Sequence, residues 1–124
     1  MKIISTDKAP AAIGPYAQAV EANGTLYVSG QIPFDPVTMD LVSEDVGVQT
    51  DQCLKNIKAI LTEAGYTIEN VVKCAVFLKD MDDFAVVNTV YAEHFAGHEA
   101  ARACVEVARL PRDVKVEIDA IAVK

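Results

Sequence analysis

The chain has no tryptophan, and aromatic residues make up only 6% of it although 52% is hydrophobic. A core of that composition is filled by aliphatic and β-branched side chains, and no low-complexity or strongly polar tract interrupts it. Paired cysteines are missing too: Cys53, Cys74 and Cys104 are odd in number, widely spaced and outside any CxxC pattern. Neither a disulfide framework nor a structural zinc site is indicated, which suits a reducing compartment.

Positive charge is scarce. Eleven lysines and arginines against 18 acids leave a net charge of -7, a field that repels phosphate backbones and anionic lipid, so no nucleic acid and no membrane is expected among the partners. No stretch approaches the length needed to cross a bilayer, and Met1-Lys2-Ile3-Ile4-Ser5-Thr6 runs into polar residues and prolines without the apolar core of a leader. The expectation is a soluble, cytoplasmic protein. GxGxxG, GxxxxGK[ST] and GxSxG are all absent, leaving dinucleotide, nucleoside-triphosphate and serine-hydrolase chemistry without local support. With 124 residues, one domain spanning 1–124 is expected, small enough that a useful cleft could be shared between subunits.

What is present reads as strands with two helices. Ile3 to Ser5 is a short strand, and Lys8 to Pro15, with Pro10, Gly14 and Pro15, an ordered loop. Tyr16 to Ala22 and Thr25 to Ile32 are β-rich runs joined by Asn23-Gly24, the dipeptide suited to a type I′ hairpin turn. Pro33 to Asp45 cannot continue a sheet. Then Val46, Cys53, Ile57, Ile60, Leu61 and Ala64 recur at helical spacing, with Gln49, Asp51, Lys55 and Lys58 on the wet side and Gly65 as a C-terminal cap. Val71 to Leu78 is a strand. Asp82 or Asp83 can cap a second helix with the apolar stripe Phe84, Val87, Tyr91 and Phe95, ended by Gly97. Two closing strands complete an α+β domain, a mixed sheet with two helices packed on one face. The uncovered face suits burial against a second copy, hence a homo-oligomer.

The closing strands carry charge that needs a reason. Period two places Arg102, Cys104 and Glu106 on one face of the first; after the Leu110-Pro111-Arg112-Asp113 turn it sets Glu117, Asp119 and Ile121 opposite Val116, Ile118, Ala120 and Ala122. If these strands are adjacent and the register allows, an arginine, a thiol and a carboxylate meet. Arg102 suits bidentate capture of a small carboxylate, and equally a structural pair with Glu106 or Glu117. Cys104 beside Arg102 has the setting of a thiolate, but no histidine shares its strand as a base, so it is assigned to packing with Cys53 and Cys74. Glu117, between Val116 and Ile118, either exchanges protons near neutrality or faces water; Asp119 is read as facing water. Gly30, in Ser29-Gly30-Gln31, admits a ligand to the backbone or marks a bulge. Tyr16 offers a phenol to a pocket or closes the core edge. His94 and His98 have helical metal-pair spacing, but Gly97 lies between them and no third ligand is evident, so no metal site is expected.

Taken together, Ala9-Pro-Ala-Ala-Ile-Gly-Pro-Tyr16, Tyr27-Val-Ser-Gly-Gln-Ile-Pro33 and Ala101-Arg-Ala-Cys-Val-Glu-Val-Ala-Arg-Leu-Pro111 resemble the Rid family, the reactive intermediate deaminases, and its RidA branch. The likeness extends through Val76-Phe-Leu-Lys-Asp80 and Val116-Glu-Ile-Asp-Ala-Ile-Ala122. It implies a chorismate-mutase-like α+β fold, a homotrimer with a site in each cleft between subunits, and hydrolysis of 2-imino acids such as 2-iminobutyrate and 2-iminopropanoate to 2-keto acids and ammonia without a cofactor. By the same resemblance Arg102 holds the substrate carboxylate, Glu117 positions or activates water, Cys104, Tyr16, Ser29 and Gly30 line the pocket, and Asn88 supports it from behind. Where the family pattern runs Pro-Ala-Arg-Ser-Cys this chain has Ala100-Ala101-Arg102-Ala103-Cys104, and Asp119 stands where glutamate is common. The alternative is a trimer that binds a keto acid or a partner without turnover. Ribonuclease activity, attached to some members, conflicts with the acidity of this chain.

Overall fold

The computed structural model of the protein describes residues 1–124. Its strands are β1 (Lys2–Ile4), β2 (Ala19–Ala22), β3 (Thr25–Gln31), β4 (Val71–Leu78), β5 (Ala101–Glu106) and β6 (Val116–Val123), with helices α1 (Val46–Glu63) and α2 (Phe84–Phe95). They form one six-stranded sheet in the order β1-β2-β3-β6-β4-β5. Only β4 and β5 pair in parallel; the other neighbours are antiparallel, as an α+β fold with a mixed sheet requires. The last strand is thus inserted between β3 and β4, and β5 lies at an edge.

One face of the sheet is covered. Leu26, Val28, Cys74, Val76, Leu78, Val116, Ile118, Ala120 and Ala122 meet Cys53, Leu54, Ile57, Ile60 and Leu61 of α1 and Val87 and Phe95 of α2 in a single apolar cluster. On the other face the odd members of the same period remain partly exposed, and Tyr27 and Val123 are exposed outright. The Asn23-Gly24 turn has the expected positive φ angles, 51° and 76°.

Local chemistry explains where boundaries move. The first hairpin strand starts at Ala19 and not Tyr16, because Gln18 turns inward and its side chain binds the loop: Oε1 accepts from the Thr6 N–H, and Nε2 donates to the carbonyls of Thr6, Ala9 and Pro10. Asp45 caps α1 by accepting from the Val48 N–H at 2.9 Å. At the second helix neither expected aspartate makes that contact: Asp83 makes no side-chain capping bond, and Asp80 accepts from the Asp82 N–H one turn earlier. Gln49, assigned to the wet side of α1, is fully buried; its amide donates to the Ser43 carbonyl and accepts from the Lys115 N–H, tying the 32–45 loop to the start of β6. No helix is long and apolar enough to cross a membrane.

Candidate active site

The sequence-derived site residues fall into two groups on opposite faces of the sheet. β5 and β6 are not neighbours, since β4 lies between them. Arg102 and Cys104 pair with Cys74 and Val76, whose side chains point to the helices, whereas Glu117 and Asp119 pair with Phe77 and Ala75 on the uncovered face. The expected meeting of arginine, thiol and carboxylate within one chain therefore does not occur: alternation fixes which residues share a face of a strand, not which strands are adjacent.

On the uncovered face, the Glu117 side chain reaches a break in the ladder. Between the Val28–Ala120 and Gln31–Ile118 pairs, β3 carries one residue more than β6, so Ser29-Gly30 forms a bulge. Of the two readings of Gly30, the structure shows the bulge. A Cβ at Gly30 would lie 2.5 Å from Glu117 Oε2 and 2.9 Å from Cδ, so the missing side chain makes room for the carboxylate. Ser29 Oγ donates to the Ala17 carbonyl at 2.6 Å and its N–H to the Gln18 carbonyl at 2.9 Å, holding the segment after Tyr16 against β3. Tyr16, Ser29, Gly30 and Glu117, with Ile13, Ile32 and Pro111, line an open cavity of about 410 Å³, a size that fits a small metabolite. Burial, and secondarily the like charge of Asp119, pushes the Glu117 carboxyl above its ordinary range. Asp119 itself is only half exposed, its Oδ1 accepting from the Ala75 N–H at 3.0 Å.

On the helix-covered face, Arg102 projects from the edge strand toward α2. Its guanidinium carbon sits 4.9 Å from the ring centroid of Tyr91 and 5.5 Å from that of Phe84. None of the chain's ion pairs includes it, so both structural pairings considered for it fail. Glu106 accepts from the Met81 N–H instead, and Glu117 is on the other face. Asn88 lies on α2 between the two aromatic residues, on the same stripe. Tyr91, Phe95, Gly97, His98, Glu99, Ala100 and Arg102 surround a second open cavity of about 470 Å³. Cys104 is half-buried; burial pushes its thiol up and Arg102 offsets only part of this, leaving a thiol and not a nucleophilic thiolate at neutral pH.

The histidines do not form a metal pair. His94 turns to α1, with Nε2 2.6 Å from Asp51 Oδ1, and His98 Nε2 lies 2.7 Å from the Val71 carbonyl. Sequence reasoning missed two sets of residues. Phe84 and Tyr91 share the expected core stripe, and Tyr91 does pack against the core, yet Phe84 is 37% exposed and both rings also face the arginine. Ile13, Ile32 and Pro111 come from three separate loops, and no local signal unites them.

A sequence profile of the family described as Endoribonuclease L-PSP matches residues 6–124. A Salmonella typhimurium protein named 2-iminobutanoate/2-iminopropanoate deaminase is 54% identical, over 99% of this chain and 98% of its own. The solved structure of YyfA from Yersinia pestis, described as a member of the conserved Rid protein family, superposes with a TM-score of 0.97 at 48% identity and covers 99% of this chain and 98% of that one. Escherichia coli TdcF, solved with bound serine, gives a TM-score of 0.96 at 46% identity, with 100% and 99% covered.

Proposed function

This chain belongs to the Endoribonuclease L-PSP family, among its RidA-type members, and from that premise we propose that it is a 2-iminobutanoate/2-iminopropanoate deaminase, hydrolysing reactive 2-imino acids to 2-keto acids and ammonia. The observation that carries this reading is Arg102: a half-buried guanidinium held between two rings, with no acceptor in its own chain, is prepared for an external carboxylate. Serine, bound in the Escherichia coli relative, carries such a carboxylate next to a carbon bearing nitrogen.

The chemistry asks little else. An iminium carbon is already electrophilic, so orientation and proton transfer suffice. Arg102 holds the carboxylate. Glu117 takes a proton from water as the water oxygen bonds to the imine carbon, giving a tetrahedral amino alcohol, and returns that proton to nitrogen; as the C–N bond breaks and ammonia leaves, the hydroxyl proton passes to the freed Glu117 carboxylate and the C=O of the keto acid forms. One water enters, ammonia leaves, and no redox partner is needed. Tyr16, Ser29 and the backbone at Gly30 complete the wall beside Glu117; Cys104 and Asn88 do so beside Arg102. A carboxyl with a raised pKa suits this exchange, and a protein that only bound keto acids would have no use for it. The net charge of -7 favours a small substrate over RNA.

The assembly that accommodates both groups is a homotrimer in which Arg102 of one subunit faces Glu117 of the next across the cleft. The opposite-face placement supports a shared site, the exposed aliphatic sheet face supports self-association, and the number three follows the family pattern. The test generates 2-iminobutanoate in place with an amino acid oxidase and traps the survivor with semicarbazide. Less trapped product with the wild type, and almost none of that decrease with Arg102→Ala at the same protein concentration, is expected; undiminished clearance by Arg102→Ala would sink the mechanism.

A further inference from the structure

An arginine that captures a substrate carboxylate poses a physical difficulty before the substrate arrives. Paired with an acid it would be held in place but already neutralised; left free it would sample many rotamers and lose the advantage of orientation. Arg102 meets neither condition. Glu106 and Asp119 are each occupied by backbone N–H groups, and Glu99, which shares its cavity, makes no ion pair with it. The guanidinium lies instead against the Tyr91 and Phe84 rings. Aromatic faces attract a cation through their quadrupole without occupying its N–H donors, so the fork stays free for two parallel hydrogen bonds.

Tyr91 is itself held in place. Its ring stacks on Phe95, with centroids 4.3 Å apart and planes at 14°, and Phe95 stacks in turn on His98 at 6.3 Å and 11°. Its hydroxyl, by contrast, is buried with only the Cys74 thiol, a weak partner, beside it. A phenol whose buried hydroxyl has no partner better than a thiol is retained for its ring.

We propose that Phe84 and Tyr91 are positioning residues that orient Arg102 for the substrate carboxylate through their ring faces, an inference that rests on the deaminase reading above. They act only through the guanidinium and do not touch the reacting atoms.

The experiment measures kcat and KM for 2-iminobutanoate, and calorimetric binding of 2-oxobutanoate, in Phe84→Leu, Tyr91→Leu and Tyr91→Phe. The leucine variants lose about tenfold in kcat/KM and weaken keto acid binding by a similar factor, while Tyr91→Phe, which keeps the ring, restores both. Adding Tyr91→Leu to Arg102→Ala, assayed at high protein concentration, costs nothing further, because the group it orients is gone. Full activity in the leucine variants, loss of activity in Tyr91→Phe, or an additive loss in the double variant overturns the proposal. A wild type that consumes no imine but binds 2-oxobutanoate overturns the deaminase reading alone, since the binding cycle still reports on the rings; a wild type that does neither removes both.

Discussion

Arg102 and Glu117 lie on opposite faces of one sheet, with β4 between their strands. Within a chain the sheet separates them, so the proposed site, which uses both, draws on two copies. Arg102→Ala and Glu117→Gln, each reduced to a small residual activity alone, are therefore expected to complement after mixing through reversible denaturation. In the proposed trimer, random exchange gives about a quarter of the clefts one intact arginine and one intact glutamate, and about that share of wild-type activity should return. Mixtures no more active than their parents would place both residues' work within one subunit or outside the reaction.

Gly30 is where the Glu117 carboxylate finds its space. A Cβ at that position would lie 2.5 Å from Oε2, and the side chain of Glu117 can yield more easily than the backbone on either side of the bulge. Gly30→Ala should therefore fold and assemble with little loss of melting temperature while kcat falls by roughly tenfold or more, because misplacing a catalytic group by an ångström costs that much. A variant with normal kcat and a large drop in stability would assign Gly30 to the bulge alone.

The pH profile tests the role of Glu117 as a base. It works ionised, and its carboxyl is raised by burial first and then by Asp119, so kcat/KM should fall with acid through a pKa above the ordinary glutamate value of about 4.3. Asp119→Asn keeps an oxygen for the Ala75 N–H but removes the like charge, and the acid limb should move to lower pH. Stability runs the other way. A raised folded-state pKa contributes stability that is present below the unfolded pKa and lost as pH rises through the folded one, so Glu117→Gln should melt higher than wild type at pH 7 and match it near pH 4. An acid limb unmoved in Asp119→Asn would show that Asp119 does not act on the group being titrated.

The faces of the closing strands were legible from alternation alone, and so were the hairpin turn at Asn23-Gly24 and both helices, because each depends on residues near in sequence. What escaped depends on neighbours far apart. Alternation set Arg102 with Cys104 and Glu117 with Asp119 correctly, but could not show that β6 inserts between β3 and β4. The helical stripe grouped Phe84 and Tyr91 with Val87 because the 3.6-residue period records a face and not what lies beneath it: Val87 meets core, Phe84 meets an edge-strand arginine, and Tyr91 meets both. Gln49 read as solvent-facing because its partners, the Ser43 carbonyl and the Lys115 N–H, are brought to it only by the fold.

Asn56 shows how such a buried polar residue reaches the site. It is 1% exposed; its Nδ2 donates to the Ile32 and Phe34 carbonyls at 3.1 Å each, and its Oδ1 accepts from Gln52 Nε2 at 2.8 Å. Asn56→Ala would leave two loop carbonyls without this donor in a dry setting, and the cost should be about 2–3 kcal/mol in urea unfolding compared at one protein concentration. Ile32 lines the Glu117 cavity, so the same loosening should raise KM for the imine while leaving the Arg102 side of the cleft unchanged. Asn56→Asp tests the direction of these bonds: a carboxylate accepts but cannot donate to carbonyls, so it should be at least as destabilising as alanine at neutral pH and less so in acid, where a protonated carboxyl regains one donor. If aspartate instead restored wild-type stability at pH 7, the contacts with Ile32 and Phe34 would not be what holds the loop.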